Sequence, residues 1–141
     1  MFDLYGNERL TEWKKFRDSL ESSNDPLTRV AELWATAPFV NSFLDPKNPN
    51  EWPDPWHLVL DSKLDELAIC LGMLYTVKLT QRFMTSVCEI HMSMLPKDPH
   101  PRYYLVVDNK YVLNYEPRKI HDLTVLIEFQ TNTIWRCDQR L

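Results

Sequence analysis

Glycine is nearly missing from this chain of 141 residues, with Gly6 and Gly72 the only two. A phosphate cradle built from successive glycine amides is therefore excluded. Cysteine is also scarce. Cys70, Cys88 and Cys137 are odd in number and widely spaced, which reads as reduced thiols and not as a disulfide framework. No apolar run is long and charge-poor enough to span a bilayer, and MFDLYGNERL has no basic segment leading into an apolar one. A soluble cytoplasmic protein is expected, with no membrane partner. Basic charge is in deficit: sixteen Lys and Arg against twenty Asp and Glu leave a formal net charge of −4. That balance does not support a nonspecific grip on nucleic acid, so none is expected as a partner. Cys88 and His91, three apart on one strand, should point to opposite faces, and no other Cys/His pair has close-ligand spacing. Neither a metal nor another cofactor is expected.

What the chain does have is apolar bulk and helical periodicity. With 44% hydrophobic residues, residues 1–141 are enough for one domain with a full core. Leu10, Trp13, Phe16 and Leu20 recur on one face of a first helix. Asp25 and Pro26 open a second, and both lie within residues 1–36. Residues 37–53 form a Pro/Asn-rich connection whose Phe39, Val40, Phe43 and Leu44 imply a packed loop. Residues 54–80 follow as central helices: Asp54-Pro55 opens a short one ending at Leu60, and Ser62 with Asp65 forms a capping-box pattern that predicts a longer one from Lys63. Leu64, Leu67, Ala68, Leu71, Leu74, Tyr75 and Leu79 recur at helical spacing, with Ile69, Cys70 and Met73 widening the stripe to that of a helix buried on most sides. Gly72 inside it suggests that another backbone packs closely there.

Residues 86–136 read as strands. Val87–Leu95 alternates, Tyr103–Val107 and Tyr111–Tyr115 flank an Asp108-Asn109-Lys110 turn, and Leu123–Phe129 and Thr133–Arg136 supply further candidates. Residues 96–101, PKDPHP, form a Pro-rich crossing between two strands. Helices first and strands afterwards predict an α+β fold, in which N-terminal helices and a buried central helix pack on a C-terminal antiparallel sheet.

The segment WPDPWHLVLDSKLDELAICLGMLYTVKL, followed by RYYLVV and YVLNYEP, resembles the core of transglutaminase-like and papain-like cysteine enzymes. Those enzymes carry Gly-Asp-Cys-Glu-Asp-Tyr/Phe-Ala at the start of a buried helix, then a His on one strand and an Asp or Asn on the next. A helix N-terminus favours a thiolate, hence that placement. Matching the motif's Ala to Ala68 sets Leu64 at the cysteine position. The histidine falls at Arg102 or Tyr103, and the third member at Asn114. Only Asn114 keeps a permissible type, so the resemblance implies a transglutaminase-like fold without nucleophile or base, and no covalent catalysis. Cys70 reads as a packed core thiol, while His57, His100 and His121 read as surface or cap positions.

The same segments are similar to small proteins carried by tailed bacteriophages, including those of cyanobacteria. That resemblance implies a virion structural or assembly component, at the head–tail connector, tail or baseplate. The expected location is then the virion, and the host cytoplasm during assembly, with other virion subunits as partners in a symmetric assembly. Aromatic residues make 12% of the chain. Phe39, Phe43, Trp52, Trp56, Tyr104 and Tyr115 are the candidates for a protein interface. The alternative expectation is a cytoplasmic enzyme or host-modulating factor that uses Asn114 with nearby acidic or tyrosine side chains.

Overall fold

The helix that the apolar stripe predicts is the centre of the molecule. In the computed structural model, which describes residues 1–94, 97–127 and 131–137, every residue of this helix from Leu67 to Lys78 except Ile69 is buried. Among the described residues four α-helices come first: α1 (Gly6–Leu20), α2 (Pro26–Trp34), α3 (Pro55–Leu60) and α4 (Glu66–Lys78). Five strands follow: β1 (Cys88–Ser93), β2 (Arg102–Val107), β3 (Tyr111–Leu113), β4 (His121–Asp122) and β5 (Thr131–Cys137). They form one antiparallel sheet in the order β4-β3-β2-β1-β5. Among the described residues, no helix is long and apolar enough to cross a membrane.

One hydroxyl ties two helices to α4. Trp13 of α1 and Trp34 of α2 each donate an indole N–H to Thr76 Oγ1, at 3.0 and 2.9 Å. Thr76 passes its own proton to the Gly72 carbonyl at 2.8 Å. A threonine hydroxyl has one donor and two acceptor sites, so the arrangement saturates it in a place no water reaches. Gly72 lies in the same cluster, and here the structure corrects the sequence reading. The group packed on it is the indole ring of Trp34, not a backbone. Buried Arg9 fastens α1 to the next layer, donating to the carbonyls of Phe2, Leu4, Val59 and Asp61 at 2.7–2.9 Å.

The start of α4 is also corrected. Its N-cap is Asp65, whose Oδ1 accepts from the Ala68 amide at 2.8 Å, so the helix opens at Glu66 and not at Lys63. Leu64 lies before the cap in a short parallel bridge with the loop. Its amide donates to Pro38 O at 2.9 Å, and its carbonyl accepts from Val40 at 3.0 Å. The same Asp65 organises the connection above it, with Oδ2 accepting from the amides of Phe43 and Leu44 at 2.8 and 2.9 Å. The loop is thus bound to the helix start through backbone groups as well as apolar contacts.

Cys88, Ile90, Tyr103, Leu105, Val107 and Leu113 belong to the same apolar core as α4. A second, smaller core joins Tyr104, Val106, Val112 and Leu126, with Leu123 and Val125 packed against it. The sequence predicted a strand over Leu123–Phe129. A 3-10 helix over Leu123–Leu126 is found instead, while Phe129 lies outside the described residues. Alternation sends residues 123 and 126 to opposite faces of a strand, whereas one helical turn lets Leu123, Val125 and Leu126 cover the same cluster. The turn after β2 behaves as its residues suggest: Asp108 and Asn109 take φ of 54° and 53°. These two residue types tolerate the left-handed region, and positive φ at both central positions suits the twist of a hairpin. Strand β3 stops at Leu113, short of the expected Tyr115, because Asn114 turns out of the sheet with φ of 70°.

Candidate functional site

Three chain segments meet at the N-terminus of α4: the helix start, the head of β2 and the end of β3. Glu66 is the first residue of α4, Arg102 the first of β2, and Asn114 directly follows β3. Arg102 Nε donates to Glu66 Oε1 at 3.3 Å, and its Nη2 reaches Tyr115 O at 3.4 Å. Asn114 Nδ2 donates to Tyr103 O at 2.9 Å, which fixes the turn to the neighbouring strand. Glu66, Arg102 and Asn114 line one cavity of about 420 Å³, walled by Trp34, Phe39, Ile69 and Met73. A second cavity of about 500 Å³ shares Phe39 and Glu66 and adds Ser42, Asp65, His100 and Tyr103. Phe39 and Glu66 therefore stand on the partition of a two-lobed cleft.

Of the positions singled out by the motif, the structure brings Arg102, Tyr103 and Asn114 to this cleft, while Leu64 lines neither lobe and is completely buried. Sequence reasoning missed Glu66 as the partner of Arg102. Spacing carries no signal for a contact between residues 36 positions apart.

The cleft is centred on the Glu66–Arg102 ion pair. Burial pushes the Glu66 carboxyl above the ordinary glutamate value, with the Arg102 charge and the Tyr103 amide only partly offsetting it. Burial likewise pushes the Tyr103 phenol up to about 12, so it stays protonated and is no base at neutral pH. Cys70 is fully buried and its thiol is pushed well above the ordinary range by burial, then by Glu66. Ser42, His100 and Asp65 share one lobe, yet among the described residues no hydrogen bond joins Ser42 to His100, and both Asp65 oxygens are taken by backbone amides. Asp54 is a helix cap that accepts from the His57 amide at 2.9 Å. Among the described residues, no group of three or more His, Cys, Asp or Glu is placed to hold a metal.

The Glu66 environment predicts a pH dependence of definite sign. The folded chain holds this proton to higher pH than the unfolded chain does, so the site favours folding most below the usual glutamate range. Its contribution falls as pH rises from the unfolded value through the raised folded one. Urea midpoints for the wild type and Glu66→Gln across that window are expected to converge at low pH and diverge on its upper side. Parallel curves would show that Glu66 does not titrate as its burial implies.

The aromatic candidates separate. Phe39 and Phe43 are exposed beside the cleft, at 60% and 41%. Trp56 is half exposed and meets the Trp13 ring edge-on at 5.9 Å, in a different groove along α1. Trp52 is partly buried, its indole donating to Asp45 O at 2.8 Å and its ring lying 5.2 Å from Trp135. Tyr115 is partly buried and 6.0 Å from Tyr104. Tyr104 itself is 1% exposed inside the second core, so as an interface anchor it is corrected: the sheet face it occupies is covered.

The architecture is an α+β, transglutaminase-like fold. Among solved structures the chain is similar to calcium-bound LapG from Legionella pneumophila, with a TM-score of 0.63 over 98% of this chain and 84% of that one. Sequence identity is 13%, so the likeness is one of fold. No protein-family model and no curated protein sequence matches the chain.

Proposed function

We propose that this protein is a non-catalytic interaction module built on a transglutaminase-like fold, with its cleft used to hold another protein. The observation that carries the reading is Leu64: the residue at the motif's cysteine position is an alkyl side chain with no exposure at all. Of the two residues at the histidine position, Arg102 is engaged with Glu66 and Tyr115, and its guanidinium stays charged and cannot serve as a general base, while the Tyr103 phenol stays protonated at neutral pH. A nucleophile and base that act as a unit leave little covalent catalysis when both are missing. Exposed Phe39 and Phe43 beside the cleft supply the apolar anchors that protein contacts favour.

The partners we propose are subunits of a bacteriophage particle or of its assembly intermediates, a proposal that rests on the resemblance of the central helix and hairpin to phage proteins. Purified particles treated with a lysine-reactive cross-linker and digested for mass spectrometry are expected to yield peptides joining this chain to a stoichiometric neighbour. A protein recovered only as a free monomer from infected-cell lysate would sink the proposal. The absence of a base has its own test. Leu64→Cys is expected to react with iodoacetamide no faster than an ordinary thiol, and fast labelling selective for position 64 would reveal a base.

A further inference from the structure

We propose that Cys88 and Cys137 form a reversible cross-strand disulfide, made by exchange with a low-molecular-weight disulfide such as oxidised glutathione, that fastens the edge strand β5 to β1. The pairing register sets Cys88 directly opposite Cys137 in the antiparallel β1–β5 ladder. Directly opposed residues have Cα atoms about 4.5–5.5 Å apart, inside the roughly 4.4–6.8 Å that a disulfide spans. Both side chains also leave the sheet on the same side, toward the core that contains α4. Only β1 pairs with β5 among the described strands, so β5 is held on one side. It nevertheless carries Trp135, whose ring packs on Trp52 and Tyr103.

The two thiols differ in a way that orders the exchange. Cys137 is half-buried on the edge strand, whereas Cys88 is fully buried beside it. Burial pushes the Cys88 thiol up to about 12, with Lys78 pulling down and Cys137 adding to the rise. The Cys137 thiolate therefore attacks first, forming a mixed disulfide and expelling one glutathione thiolate. Cys88 then gives its proton to solvent and attacks the Cys137 sulfur, expelling the second glutathione thiolate, which takes up a proton. Two protein thiols are oxidised and one small disulfide is reduced to two thiols. A slow second step keeps the protein reduced in a thiol-rich compartment and lets it lock on leaving one.

The test incubates the full chain with oxidised glutathione at mildly alkaline pH. Thiols are then counted after denaturation, and a non-reducing digest is mapped by mass spectrometry. The expected result is loss of two of the three thiols, a Cys88–Cys137 linked peptide that dithiothreitol releases, and a rise in Tm on the order of 5–10 °C. Cys137→Ser should give neither the linked peptide nor the rise, while Cys70→Ser should give both. Three surviving thiols, a Cys137–glutathione adduct that Cys88 never resolves, or a link involving Cys70 would each overturn the proposal. The wild-type peptide map decides even if a variant folds poorly.

Discussion

Gly72→Ala is expected to destabilise the protein by about 3 kcal/mol, read as a lower urea midpoint. A Cβ at position 72 would lie 2.3, 2.4 and 2.6 Å from three ring carbons of Trp34, closer than real carbon contacts come. The ring cannot easily withdraw. Its Nε1 is held by Thr76, and the ring of Phe2 lies against it edge-on at 5.1 Å. Moving Trp34 would also leave its buried N–H without an acceptor, a cost of roughly 1–3 kcal/mol. The mechanism has a separate signature. Trp34→Leu combined with Gly72→Ala should cost clearly less than the sum of the two single changes, because the smaller side chain removes the clash. Simple additivity would show that the cost of alanine at position 72 arises elsewhere.

Asp65→Ala is expected to cost a similar amount, about 3 kcal/mol, for a different reason. One buried carboxylate caps α4 through the Ala68 amide and anchors the preceding loop through the amides of Phe43 and Leu44. Alanine leaves all three amides without that acceptor. Asparagine caps helices nearly as well but offers a single acceptor oxygen, so Asp65→Asn should fall between wild type and alanine. Hydrogen exchange distinguishes the two duties: the Phe43 and Leu44 amides should lose protection in both variants, and Ala68 chiefly in the alanine one. Because Phe39, Ser42 and Leu44 line the cleft, the alanine change should also weaken cross-linking to any partner bound there.

Much of the architecture was legible because it follows from neighbouring residues. The broad apolar stripe of α4, the Asp54-Pro55 start of α3 and the Asp108-Asn109 turn each rest on the chemistry of a few adjacent positions. Misreadings arose where two local signals competed. Ser62 and Asp65 both look like caps, and Asp65 prevails because its second oxygen also satisfies the loop amides. Leu123–Leu126 has the apolar content of a strand, but a turn of helix lets it cover the sheet face that carries Tyr104, Val106 and Val112. The site was legible in part. The motif points to Arg102, Tyr103 and Asn114, which line the cleft, yet it is silent on Glu66, and aromatic content alone sets Tyr104 beside Phe39 although one is inside a core and the other is exposed.

The local chemistry of this chain by itself determined its helices, its hairpin and an α+β order of elements, since each depends on residue types at short separation. Only the tertiary structure decided the pairing of Glu66 with Arg102, the burial of Leu64, the second core around Tyr104 and the facing of Cys88 by Cys137. Those contacts join residues tens of positions apart and depend on strand order and register. A shift of one residue in strand register would send Arg102, Tyr104, Cys88 or Cys137 to the opposite face of the sheet.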